Sequence, residues 1–176
     1  MALVHLDVLY RTALRLTHHR AEADDLVQEA CLRAYRSFDR FNPGTNCRAW
    51  LLAILRNAFL NRVRQTGREV LDAELAACET RASAFTDPGP AEKSPEEELL
   101  QTILHGDLDR ALRALPLPFR EAVTLVDLEG LSYKEVAQVL GCPIGTVMSR
   151  LSRGRALLRE SLRSLAREHG YVRESE

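Results

Sequence analysis

The stretch Leu131 to Arg155, LSYKEVAQVLGCPIGTVMSRLSRGR, joins two helical patterns through a tight turn and leaves a polar, basic face. Ser132 and Glu135 have the spacing of a capping box, which starts a helix by satisfying its first backbone N–H groups. Val136, Ala137 and Leu140 continue at helical spacing. Gly141 supplies a stop, and Pro143 suits the first turn of the next helix. In that second helix Ile144, Val147, Leu151 and Leu158 fall on one side, which predicts a single buried stripe. Gly145, Ser149, Ser152 and Arg153 point the other way, with Arg150 and Arg155 on the flanks. A helix of this kind can lie in the DNA major groove. Short side chains permit close approach, Arg153 can fork onto a guanine edge, and the flanking arginines can hold phosphates. The alternative is a helical hairpin with a solvated charged face. The Gly-Cys-Pro turn, the short residues and the arginine run occurring together favour DNA reading.

A chain of 176 residues has room for one ordinary domain or two small ones. Hydrophobic residues make up 45%, enough for a core, and with few aromatic residues and little strand-type alternation an all-α chain is predicted. No apolar run approaches the roughly 20 residues of a membrane span, and the N-terminus lacks the pattern of a signal peptide, so no membrane insertion is expected. Cys31, Cys47, Cys78 and Cys142 are scattered, which argues against a disulfide framework or zinc knuckle and fits a reducing, cytoplasmic setting. Cys47 and Cys142 stand near predicted helix starts, where a thiol can be activated. They read instead as half-buried fillers. The histidines show no ligand spacing. With no nucleophile–base pair, metal cluster or phosphate-binding glycine loop, the chain is not expected to be an enzyme or to hold a cofactor or metal.

The net charge of −1 conceals a pattern. Residues 1–70 carry 11 Lys and Arg against 7 Asp and Glu, a net +4. Residues 71–107 carry 2 against 9, a net −7, and residues 108–176 carry 11 against 9, a net +2. The middle segment contains TDPGPAEKSPEEE, which has linker composition. Two small helical domains, 1–70 and 108–176, joined by a flexible acidic linker over 71–107, are therefore expected.

The first domain reads as three helices. One runs from about His5 to Thr17. The second, about Ala21 to Phe38, has Leu26, Ala30, Ala34 and Phe38 on one side and Asp24 and Asp25 in its first turns, where the helix dipole favours them. A loop, DRFNPGTN, precedes a third helix from about Arg48 to Arg64 with Leu51, Ile54, Leu55 and Ala58 as core positions. Asn57, Asn61 and Arg64 form a polar row on it. Trp50 could stack on a base; its place beside Leu51 favours packing instead.

DDLVQEACLRAYRSFDRF, FNPGTNCRAWLLAILRNAFLNRVR and the helix-turn-helix, in this order, resemble regions 2 and 4 of a bacterial RNA polymerase sigma factor, in the small extracytoplasmic-function (ECF) group of the sigma-70 family. The resemblance covers about residues 5–68 and 108–165. It implies a transcription initiation factor whose partners are promoter DNA and core polymerase, engaged at the β′ clamp helices and the β flap. It assigns Asp24, Asp25, Gln28 and Glu29 to polymerase docking. Asn42, Thr45, Asn46, Arg48, Asn57, Asn61 and Arg64 fall in the minus-10 reading and melting region. Thr146, Ser149, Arg150, Ser152, Arg153 and Arg155 fall in the minus-35 reading helix. FNPGTN with GTVMSRLSRGR further resembles the thiol-stress-responsive branch, whose partners are zinc-binding anti-sigma factors. A GGAA-like minus-35 element is implied, although Met148 stands where relatives often carry a basic residue.

Chemistry is consistent with these roles. Strand opening needs a pocket for an unstacked base and amide or cationic groups along the single strand. Elements about 16 base pairs apart lie roughly 55 Å from one another. A linker of 37 residues spans on the order of 35 Å as a coil and up to roughly 120 Å when extended. Neither half has the charge excess for tight DNA binding alone, so specific binding is expected when polymerase holds both. The competing readings are a sigma-like decoy that binds an anti-sigma factor without promoter activity, and a conventional operator-binding regulator. The latter would need a dimer interface for which no apolar helix remains.

Overall fold

The computed structural model describes residues 2–65 and 106–168. The expected linker therefore lies outside the described residues, except that 106 and 107 already belong to a helix. Every regular element described is helical. A short 3-10 turn, Ala2–His5, leads into α1, Leu6–Thr17. α2 is Arg20–Arg36, followed by a 3-10 turn, Phe38–Arg40. α3 is Cys47–Gln65. The second half comprises α4 over 106–114, α5 over Leu117–Val123, α6 over Tyr133–Leu140 and α7 over Ile144–Glu168.

Local chemistry sets these boundaries as expected. Ser132 Oγ accepts from the Glu135 backbone N–H, and Glu135 accepts from the Ser132 backbone N–H at 2.8 Å, so the capping box is formed. Gly141 closes α6 in the left-handed conformation, φ 64°, which a Cβ would oppose. Asn46 caps the start of α3, its Oδ1 accepting from the backbone N–H of Arg48 at 3.0 Å.

Four positions depart from the predicted stripes, among them Leu158, which is only half-buried. Phe38 is 52% exposed because α2 ends at Arg36 and the 3-10 turn carries Phe38 out of helical register. Ile144 is 45% exposed because it is the first residue of α7, ahead of the helix crossing; burial begins at Val147 and continues at Leu151. Ile54 is only half-buried, while Leu51, Leu52 and Leu55 are fully enclosed.

The two halves do not keep separate cores. Leu9, Ala13, Leu26, Leu51, Leu52 and Leu55 from the first half form one continuous cluster with Leu125, Leu131, Val136, Val139 and Val147 from the second. Each such side chain contributes about 1.5–3 kcal/mol relative to exposure, so the seam between the halves is held by several apolar contacts of that size. A smaller cluster of Leu112, Leu115, Ala122, Val123 and Leu151 belongs to the second half alone.

Polar contacts fix how the halves meet. The buried Arg56 of α3 and Glu121 of α5 form a two-point pair, Nε to Oε1 at 2.7 Å and Nη2 to Oε2 at 3.2 Å. Such a pair sets a unique register more than it adds stability, because desolvation offsets much of the attraction. After α5 the chain passes through a π-helical turn, Thr124–Leu128, closed by the Glu129 N–H donating to the Thr124 carbonyl at 2.9 Å. That turn delivers Glu129, 2% exposed, into the first half. His18 ends α1 at φ 58° with its Nε2 2.8 Å from Arg120 Nη1. Arg120 is always a donor, so His18 accepts and is neutral.

Two expectations follow. A Cβ on Gly154 would lie 2.8 Å from Val123 Cγ2 and 3.1 Å from the Phe119 carbonyl oxygen, where α7 crosses α5. Alanine gains about 1 kcal/mol in helix preference, but overpacking against a backbone atom costs about 1–3 kcal/mol. Gly154→Ala should therefore lower the urea midpoint; an unchanged or raised midpoint would show that the crossing has slack. Burial, then Arg120 and Arg113, lower the His18 pKa from 6.5 to about 4. As pH falls below about 6.5 the unfolded chain takes up this proton first, so stability is full above pH 6.5 and declines toward pH 4. Asparagine tolerates the left-handed conformation, so His18→Asn should flatten thermal stability against pH in that window. An equally steep profile in the variant would assign the titration elsewhere.

Candidate nucleic-acid interface

The loop before α3 is built from its own side chains. Asn42 Oδ1 accepts from the Gly44 N–H at 3.0 Å, and the Asn42 carbonyl accepts from Thr45 Oγ1 at 2.8 Å. This leaves Asn42, Thr45 and Asn46 exposed on an ordered turn. Beside it Phe38, Phe41 and Trp50 cluster, with Phe41 and Trp50 ring centroids 5.0 Å apart. Trp50 is half-buried there rather than sealed in the core. Asn57, Asn61 and Arg64 are all exposed. Trp50 lies seven residues before Asn57, two turns back on the same row. The aromatic cluster and the amide row therefore make one face, the combination a single strand needs for stacking and hydrogen bonding.

Arg48 and Asn46 are drawn elsewhere. Arg48 Nη2 donates to Glu129 Oε2 at 2.6 Å, and Asn46 Nδ2 donates to Glu135 Oε1 at 2.7 Å. Hydrogen bonds from Ser132 and then Asn46 hold the Glu135 carboxyl below its usual range. Two of the seven expected minus-10 residues are thus engaged by the second half of the chain.

On α2, Asp24, Asp25 and Gln28 are exposed as expected. Glu29 is half-buried and ion-paired to Arg33 and Arg62, so it belongs to a local network and not to a free acidic patch. Sequence reasoning missed Leu32 and Tyr35, 58% and 84% exposed. Their signal was available: positions 25, 28, 32 and 35 share a helical row away from Leu26, Ala30 and Ala34. An exposed apolar pair beside acids and an amide is the usual composition of a protein-docking face.

On α7, Gly145 and Met148 are exposed, and Thr146, Ser149, Ser152 and Arg153 are half-buried. Arg150, expected on the flank, is only 5% exposed, because its position follows Val147 by three and falls on the buried side. Arg155 is half-buried and grips Asp127 with two nitrogens, Nε to Oδ2 at 3.0 Å. Burial raises the Cys142 and Cys31 thiols, opposite to activation. Among the described residues no cluster could hold a metal ion, and no helix is long and apolar enough to cross a membrane.

A three-helix first half bearing an aromatic and amide face, packed on a helix-turn-helix, is the architecture of a two-region promoter-recognition factor. The family model for Sigma-70 region 2 matches residues 1–69, and that for Sigma-70 region 4 matches residues 105–158. The ECF sigma factor SigE of Mycolicibacterium smegmatis is 42% identical over 90% of this chain, and the match spans 58% of that protein's length. The ECF sigma factor EcfG of Rhodopseudomonas palustris is 40% identical over 83% of this chain and 74% of that protein. Among solved structures, the sigma factor RpoE in complex with the anti-sigma factor NepR from Bartonella quintana is 35% identical, with TM-score 0.67 over 92% of this chain and 93% of that one. CnrH in complex with the cytosolic domain of CnrY is 25% identical, with TM-score 0.61 over 92% and 84%. The chain belongs to the ECF group of sigma-70 RNA polymerase sigma factors, non-enzymatic factors of transcription initiation.

If Arg153 forks onto a guanine of the minus-35 element, as the resemblance implies, Arg153→Ala should cost about 1–3 kcal/mol at one base pair and relax preference there alone. Arg155 is already held by Asp127, so Arg155→Ala should leave base preference unchanged and reduce the salt slope by less than one contact. A series of single-base promoter variants bound by holoenzyme at two salt concentrations tells them apart. Uniform loss with base preference intact would make Arg153 a phosphate clamp.

Proposed function

We propose that this chain docks on core RNA polymerase through the α2 row of Asp24, Asp25 and Gln28, extended by Leu32 and Tyr35, and brings it to promoters. Region 2, about residues 1–70, reads and opens the minus-10 element with Asn42, Thr45, Asn57, Asn61 and Arg64 around the Trp50 cluster; Asn46 and Arg48 join them once freed. Region 4, within about 108–176, reads the minus-35 element with Thr146, Ser149, Ser152 and Arg153, and Met148 offers an apolar surface to a thymine methyl. The segment 71–107 tethers the two. The β′ clamp helices and β flap are the polymerase surfaces engaged, which places the protein in the cytoplasm. The observation that carries this reading is the presence, in one chain, of an exposed aromatic and amide face and a helix-turn-helix within matches to both sigma regions.

An anti-sigma factor is the regulatory partner. Support comes from RpoE of B. quintana and CnrH, each resembling this chain over 92% of its length and each solved with such a partner or its cytosolic domain. The finer reading, a thiol-stress-responsive branch with a zinc-binding anti-sigma factor, rests on FNPGTN and GTVMSRLSRGR. Stoichiometric zinc in the purified complex of this chain with its anti-sigma factor would support it, and a zinc-free complex would remove it.

One observation favours the decoy alternative: Arg150 is buried and Arg155 is tied to Asp127, which leaves less of the expected basic face for DNA. Run-off transcription with purified core polymerase decides. The wild-type chain should yield promoter-dependent transcripts. Asp25→Lys should leave the circular dichroism spectrum unchanged and weaken core binding about tenfold or more, equivalent to at least about 1.4 kcal/mol. Binding of an anti-sigma factor by a chain that yields no transcripts would establish the decoy.

A further inference from the structure

The geometry points to an anion site at the C-terminal end of α1, built to hold the phosphate group of a small phosphorylated metabolite. Arg11, Arg15 and His18 follow one another at i, i+4 and i+7, so they fall on one side of α1. Asp109 and Arg113 of α4 and Arg120 of α5 join them in lining a cavity of about 160 Å³. One water needs roughly 10–15 Å³ of such space, so a phosphate group fits. Four arginines line it against one carboxylate. None of the six residues is assigned to promoter DNA or to polymerase, so the sigma-factor reading leaves the cavity without a function.

The chemistry of the wall calls for an anion. Arg120 Nη1 donates to His18 Nε2 at 2.8 Å and to the Arg113 carbonyl at 3.2 Å, both neutral acceptors, which fixes this guanidinium beside the cavity. With Nε2 accepting, the proton of neutral His18 sits on Nδ1, which is buried and has no acceptor among the described residues. An N–H left in that state costs about 1–3 kcal/mol, and an oxygen acceptor brought into the cavity that His18 lines would relieve it. The charges act in the same direction. After burial, Arg120 and Arg113 do most to hold the His18 pKa down, against the opposing pull of Asp109, so the field at the imidazole is positive. Glu129 takes up Arg15 at 3.1 Å but reaches Arg11 only at 4.0 Å, and Arg11 and Arg113 are exposed. A phosphate monoester presents three strong acceptor oxygens, which suits guanidinium forks converging from different helices.

The test adds inorganic phosphate to the full-length chain at constant ionic strength, with chloride as the balancing ion. Binding is followed by nuclear magnetic resonance at the His18 ring, whose signal is identified by its loss in His18→Asn. Wild type should show a saturable shift, and because a bound anion offsets the arginines, saturating phosphate should also raise the His18 pKa from about 4. Arg113→Gln keeps the backbone carbonyl that Arg120 uses and should weaken binding about fivefold or more. Asp109→Asn removes the opposing charge and should tighten it about twofold. Arg110→Gln takes the same charge from α4 outside the cavity and should leave binding unchanged. A shift that never saturates, or equal weakening in Arg113→Gln and Arg110→Gln, reduces the effect to general screening and overturns the site. Ribose 5-phosphate should compete for the same shift; its failure to do so limits the site to free phosphate and overturns the metabolite assignment. Saturation by a single-stranded oligonucleotide without terminal phosphates, with inorganic phosphate inert, overturns it in favour of nucleic acid.

Discussion

A single carboxylate, that of Glu129, organises this molecule. It lies out of water at the end of a π-helical turn and, among the described residues, is met by arginines of the other region. The apolar seam of Leu125, Leu131, Val136 and Val139 against Leu51, Leu52 and Leu55 supplies adhesion. Apolar contact alone does not choose among rotations of one small helical body on another. The buried Arg56–Glu121 pair and the arginines around Glu129 choose one, because any other placement leaves a charge enclosed without its counter-ion.

Much of the fold was legible in the sequence because its determinants are local. Ser132 and Glu135, Gly141 and the stripes Leu26–Ala30–Ala34 and Val147–Leu151 each act within a few residues, and each was found as expected. What escaped was decided by partners far along the chain. Arg48 and Glu129 are 81 residues apart, and Asn46 and Glu135 are 89 apart. Nothing in either neighbourhood marks the other. Arg150 was misplaced for a related reason: an arginine in a basic run reads as solvated, and only the packing of α7 reveals that its position faces inward.

The candidate interface shows the same division. The Asn57, Asn61 and Arg64 row needed only helical spacing, and all three residues are exposed. The inclusion of Trp50 on that face needed the 3-10 turn that brings Phe38 and Phe41 beside it, a feature with no sequence period of its own. Glu135 shows why residue roles assigned singly fall short. One oxygen completes the capping box of α6 and the other receives Asn46, which itself caps α3. Two helix starts in different regions thus share one hydrogen-bond chain, and disturbing either is transmitted to the other.

The π-helical turn at Thr124–Leu128 has an evolutionary consequence. A π turn contains one residue more than an α turn, and the surplus sets the direction in which Glu129 points. Loss of a single codon there would abolish the hydrogen bond from the Glu129 N–H to the Thr124 carbonyl that closes the turn. Glu129 would no longer be held where the arginines of the first half meet it, while the helix-turn-helix behind it remained whole. Cohesion between the halves could therefore be altered among descendants by one in-frame deletion.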